Sequence, residues 1–146
     1  MTTLKDIKKA VNTALKQAYP KNKIYGADTV EGYSRPSFFV YVTQTFSEAT
    51  KNAVHKNVEI EIDYIQKSTD EPDAMEFFSN MERIFHHKLK LDNGRQLTTD
   101  NHTSGFEGEY NNIPIYSFEV EFWSAIDKKE ENLALMQDVK MKGMRK

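Results

Sequence analysis

The chain has 146 residues, 38% of them hydrophobic and 29% charged, with 9 Phe and 7 Tyr; that length suits one domain with a real core, and the aromatic content argues against disorder. It has no cysteine, which excludes a disulfide framework and a thiolate zinc site. The net charge of −2 is unevenly placed: residues 1–23 carry net +5, residues 24–126 net −9 and residues 127–146 net +2. Binding nucleic acid through the acidic middle is therefore disfavoured, while head-to-tail contact between copies and a plainly solvated surface both remain open.

Residues 3–18 read as an amphipathic helix, with Leu4, Ile7, Val11, Ala14, Leu15 and Ala18 at helical spacing and Lys5, Lys9 and Lys16 on the other side. Thr3 is placed to cap it, Asp6 completes a capping-box-like pattern, and Pro20 ends it. The stripe suits docking onto a sheet more than a membrane surface. "KIYG" reads as a short strand and "ADTVEGYSRPS" as a loop. "SFFVYVTQTF", residues 37–46, reads as a strand, and "SEATKNAVHK" as a polar connection. "NVEIEIDYI", residues 57–65, alternates strictly and is expected to pair antiparallel with the strand before it.

"QKSTDEPDAMEFFSNMERIFHHKL" opens a second helix. Pro72 suits its first turn, and Asp70, Glu71 and Asp73 suit its positive end. Ala74, Phe77, Phe78, Met81, Ile84, Phe85 and Lys88 form one stripe, expected to face the core. "LDNGRQL" holds an Asn-Gly hairpin turn. "TTDNHTSGFEGEYNN" is either a loop or a strand with a bulge. "IPIYSFEVEFWSAI", residues 113–126, is a strand with Tyr116, Phe118, Val120 and Phe122 on one side and Ser117, Glu119, Glu121 and Trp123 on the other. "DKKEENLALMQDVKMKGMRK" gives a thin apolar stripe, expected to be a C-terminal helix. The fold expected is one α+β domain over residues 1–146. It has an antiparallel or mixed β-sheet with helices packed on one face, the N-terminal helix first and the C-terminal helix last.

The search for chemistry is mostly exclusion. No apolar run approaches the roughly 18 residues of a membrane span, and the N-terminus lacks a signal-like apolar core, so the chain is expected to fold in the cytoplasm without a membrane. Neighbouring His86 and His87 would point about 100° apart on a helix and could not readily share an ion. Glu59, Glu61 and Asp63 alternate along a strand about 7 Å apart, which spreads charge instead of caging a cation. The Asp100–His102–Ser104 triplet sits in a polar stretch with nothing to impose triad geometry, and no G-x-S-x-G elbow is present. "GFEG" lacks the lysine and setting of a phosphate loop. An exposed acidic row is expected to stay ionised near neutral pH, which does not suit acid–base catalysis. No catalytic, cofactor-binding or metal-ligating residue is assigned, and no cofactor is expected.

The layout resembles that of the tail terminator (tail-completion) proteins of bacteriophages and phage-tail-like particles. The resemblance runs over residues 4–126: "LKDIKKAVNTALKQAYPKNKIYGADTVEGYSRPSFFVYV" as helix, short "IYG" strand and "PSFFV" strand, then the long alternating strand, "DAMEFFSNMERIF" as helix and "NNIPIYSFEVEFW" as a late strand. It implies a structural virion protein with no catalysis. Such a protein forms a ring with copies of itself, commonly six, on the head-proximal end of the tail tube. The ring ends tube growth and offers a surface to neck or connector proteins and, in contractile tails, to the sheath. DNA would be passing cargo only, and assembly would take place in the host bacterial cytoplasm. Another head–tail connector protein, or a standalone ligand-binding or enzymatic domain, are the alternatives.

Two surfaces gain a reading from that resemblance. Glu59, Glu61, Asp63, Glu119 and Glu121 would line a sheet face turned to a ring lumen or a neighbouring ring, where carboxylates repel passing phosphates within about 8 Å at physiological salt. Simple solvation of a wet sheet face explains them too. Lys128, Lys129, Lys140, Lys142, Arg145 and Lys146 would form a basic tail that meets an acidic surface on a neighbour, tube or sheath.

Overall fold

In the computed structural model of the chain, residues 2–125 are described. The elements are α1 (Leu4–Ala18), β1 (Lys23–Tyr25), β2 (Ser37–Ala49), β3 (Ala53–Ile65), α2 (Glu71–Phe85), β4 (Lys88–Lys90), β5 (Gln96–Glu107) and β6 (Ile113–Ala125). The class is α+β, as expected. The expected C-terminal helix over 127–146, and with it Lys128, Lys129, Lys140, Lys142, Arg145 and Lys146, lies outside the described residues; the last described element is the strand β6.

The six strands form one mixed sheet in the order β1-β2-β3-β6-β5-β4. β1 runs parallel to β2, and every other pairing is antiparallel. The last described strand thus sits between β3 and β5, inside the sheet. Alternation in the strands sends Phe38, Val40, Val58, Ile60, Ile62, Tyr64, Tyr116, Phe118, Val120 and Phe122 into one buried cluster. Both helices close that cluster from the same side: α1 through Ile7, Ala10, Val11 and Leu15, and α2 through Ala74, Phe77, Met81 and Phe85. α1 touches β2 and also β4, strands far apart in the sheet order, so the sheet curls around its helices.

The helix ends follow local chemistry. The Thr3 hydroxyl accepts from the Asp6 N–H at 3.2 Å while the Asp6 carboxylate accepts from the Thr3 N–H at 2.9 Å, the reciprocal box that satisfies two free amides. Asp70 caps α2, and Gln66 and Tyr64 anchor that corner by donating to Asp73 at 3.0 and 2.8 Å. At the far end α2 stops at Phe85, where the Thr99 hydroxyl donates to the Phe85 carbonyl at 2.6 Å.

Two expectations are corrected. Residues 47–56 are not a connection: β2 and β3 run on through them to a turn at Thr50–Asn52, held by the Thr50 side chain against Ala53. Lys88 is not on the α2 stripe, because the helix has ended and Lys88 pairs with Thr98 in β4. The stretch 98–112, open between a loop and a bulged strand, is strand as far as Glu107, with a register shift between Asp100 and Thr103 and Asn101 at φ 51°, and then a turn in which the Asn111 N–H donates to the Gly108 carbonyl at 3.1 Å. The Asn93-Gly94 turn stands where expected; Gly94 has φ 88° and Leu91 donates to the Arg95 carbonyl at 2.8 Å.

Candidate functional site

The helices cover one side of the sheet, and the five acidic residues all lie on the other. Register fixes this arrangement. Thr43, Glu59, Glu119 and Asp100 form one row across β2, β3, β6 and β5; Tyr41, Glu61, Ser117 and Thr103 form the next; Phe39, Asp63, Ile115 and Gly105 form the one beyond. Glu121 falls opposite Asn57, one row the other way. Glu59, Glu61, Asp63, Glu119 and Glu121 are therefore brought onto a single face.

Their environments differ. Glu59 and Glu119 are direct cross-strand neighbours, and like charges so placed repel. Glu119 finds one offsetting contact, accepting from the Asn101 side-chain amide at 2.7 Å. Glu121 lies 2.5 Å from the His55 ring, which stacks on Trp123 with centroids 4.5 Å apart. Asp63 is flanked by the buried side chains of Phe39 and Ile115, and one of its oxygens is buried with no hydrogen-bond partner among the described residues. Desolvation there, with the Glu61 and Glu107 charges adding, pushes its carboxyl up to about 8. Against the expectation that every member of the row stays ionised near neutral pH, burial and the Glu61 carboxylate beside it shift the Asp63 carboxyl toward its protonated form.

Several residues of this face went unnoticed in the sequence. Tyr25, Tyr33, Phe39 and Tyr41 form an aromatic corner with centroid distances of 5.2 to 6.4 Å. Phe46, His55 and Trp123 form a second cluster near the end of the β2–β3 hairpin, where Phe46 and Trp123 are exposed. Asp100 joins the acidic row from β5. The parity of "VEIEIDYI" gives the direction of each carboxylate, but only strand pairing gives its neighbours.

Catalytic geometry does not assemble from the candidates in the sequence. Asp100 points to the acidic face beside Glu119, whereas His102 turns inward to Thr99, Tyr116 and Phe118, so the triplet is split across the sheet. Burial lowers the His102 pKa. His86 and His87 do not sit on a helix as expected; past the end of α2 their rings lie 3.7 Å apart. Among the described residues no three His, Asp or Glu side chains converge on a common point suited to a metal ion. No described helix is long and apolar enough to cross a membrane.

Comparison with known proteins bears on the whole chain. A family model described as "Phage tail terminator protein" matches residues 6–132. No curated protein matches. One solved structure, whose description names no function, aligns with 87% of this chain and 98% of its own at 10% identity and a TM-score of 0.47, too low to carry an argument.

Proposed function

The chain belongs to the phage tail terminator family, and from that premise we propose that it caps the head-proximal end of a tail tube as a ring of its own copies. Family membership makes it a structural component of a phage tail that meets other tail proteins. The finer reading is that the ring stops tube polymerisation, offers its outward side to neck or sheath proteins and catalyses no reaction. The match over residues 6–132 supports this reading, since it takes in every described element but the first two residues of α1.

The acidic sheet face fits a surface turned toward a ring lumen or a neighbouring ring. It is the side the helices leave open, and its carboxylates would keep passing DNA from adhering. The basic residues from Lys128 to Lys146 would reach a neighbouring subunit, tube or sheath. Deleting residues 140–146 should then impair tail assembly, and unchanged assembly would remove that role.

The test is tail length. Particles made without this chain should carry tubes of uncontrolled, overgrown length in electron micrographs, and the purified chain added to polymerising tube protein should stop elongation. Tubes of normal length in its absence would overturn the proposal.

A further inference from the structure

The two long margins of the sheet are only half covered. β1 pairs with β2 over Ser37–Phe39 alone, so the outer edge of β2 from Val40 onward meets no strand among the described residues. β4 pairs with β5 over Gln96–Thr98 and the Thr99 N–H donates to the His87 carbonyl at 2.9 Å, which leaves the edge from Asp100 to Glu107 in the same condition. Bare backbone donors and acceptors along an edge are a template for another strand.

The two margins carry opposite charge. Beside the β2 edge lies a cleft of about 390 Å3 between it and the start of α1, lined by Leu4, Lys5, Lys8, Val40, Val42 and Thr43 among others. Leu4 is exposed there although it is apolar. Lys5 and Lys8 are the charged side chains that line it; Asp6 is engaged by the Thr3 cap, and Asp28 lies beside Gly26 near the Lys8 ammonium. Along the β5 edge stands an apolar ridge instead. Phe106 packs edge-on against Phe78 at 5.5 Å, and exposed Met75 lies one α2 turn before Phe78. Glu71, Met75, Phe78 and Glu82 recur at helical spacing, so carboxylates bracket the ridge on the helix side. Asp100 and Glu107 bracket the same edge on the open face.

We propose that copies of this chain join side to side, the lysine-lined cleft beside β2 of one copy receiving the Phe106–Met75 ridge and its flanking carboxylates of the next. The surfaces lie on different margins of one molecule, so the contact is heterologous, and repeated by rotation it closes a ring. β2 and β5 run in opposite directions within the sheet, so edges brought together by rotation about an axis along the strands meet antiparallel. Opposite charge sets orientation and disfavours the wrong pairing, and the apolar ridge supplies burial. This rests on the ring reading above, but it concerns which surfaces meet and can fail separately.

Charge reversal with mixing tests it. Lys5→Glu with Lys8→Glu in one chain, and Glu71→Lys with Glu82→Lys in another, should each raise the concentration needed for assembly by about tenfold or more, measured by mass photometry and light scattering. An equal mixture of the two should recover assembly, now as rings with an even number of subunits, because each faulty margin meets its complement. A mixture that stays as weak as its components, variants that assemble like the wild type, or a wild-type chain that stays monomeric at every concentration would overturn the interface.

A second measurement does not depend on charge. Because the chain has no cysteine, Tyr41→Cys together with Thr103→Cys, which share one row on the open face, should form a disulfide-linked ladder ending in a closed ring under mild oxidation. Either substitution alone should give monomer. Dimers from a single-cysteine chain would mean a two-fold contact and would overturn the heterologous arrangement. A ladder without arrest of tube growth would keep the interface and remove the terminator reading; arrest of growth with no ladder and no mixing effect would do the reverse.

Discussion

Asp63 shows how much a neighbour decides. Its place on the acidic side of β3 follows from parity alone, but its protonation follows from Phe39 and Ile115, which flank it from adjacent strands. Its carboxyl rises from an unfolded value near 3.8 to about 8 in the fold. The folded chain therefore keeps a proton that the unfolded chain gives up between those values, and stability from this residue is full below about 4 and lost as pH rises toward 8. Asp63→Asn should remove that slope. In urea melts the variant should match the wild type near pH 4 and exceed it at pH 9 by about 1–2 kcal/mol, a figure discounted because the carboxyl is partly solvated. Equal stability at pH 9 would mean the carboxyl is better hydrated than its surroundings indicate.

At the scale of elements, legibility tracks how completely each one buries a face. α1 was readable because a single stripe faces the core and Thr3 and Asp6 make a local cap that needs no tertiary partner. Thr3→Ala should cost about 1 kcal/mol, read as a lower midpoint in thermal or urea unfolding with the fold intact. β3 and β6 were readable because helices cover one side and carboxylates the other. The outer ends of β2 and β3, residues 47–49 and 53–56, were not, since residues such as Ser47 and Glu48 lie beyond the core, and without a buried side there is no alternation to read. Beyond Thr98, β5 has a strand partner on one side only among the described residues, and its parity resets between Asp100 and Thr103, so its polar sequence passes for a loop. β4 has three residues, and "HHKL" continues helical spacing past the point where Thr99 takes the Phe85 carbonyl. The parallel pairing of β1 and the neighbours of each acidic residue depend on strand order, which no local pattern carries.

At the scale of the whole molecule, the two sides of the sheet divide the work. One holds the helices, and the other presents Glu59, Glu61, Glu119 and Glu121 around Asp63. A direct Glu59–Glu119 opposition is a small stability cost, about 0.2–1 kcal/mol, that a wet surface alone does not require. In a lumen it would serve to repel phosphate. Glu59→Gln with Glu119→Gln, which removes the opposition and keeps an acceptor for the Asn101 amide, should therefore leave the monomer at least as stable and tail length unchanged, while slowing DNA release from particles in a fluorescence ejection assay. Unaltered release would place this face away from the DNA path.

The position of β6 has a consequence for how the subunit is made. A ribosome delivers β1, β2 and β3, then β4 and β5, and only afterwards the strand that joins them. Until Ile113–Ala125 has emerged, the first ribbon and the second share no sheet hydrogen bonds, and the side chains of β6 are missing from between them. A prematurely ended chain therefore cannot present the β2 margin and the β5 margin on one rigid body. The order of strands therefore makes the relation between the two margins depend on β6, the last of the described strands in the chain.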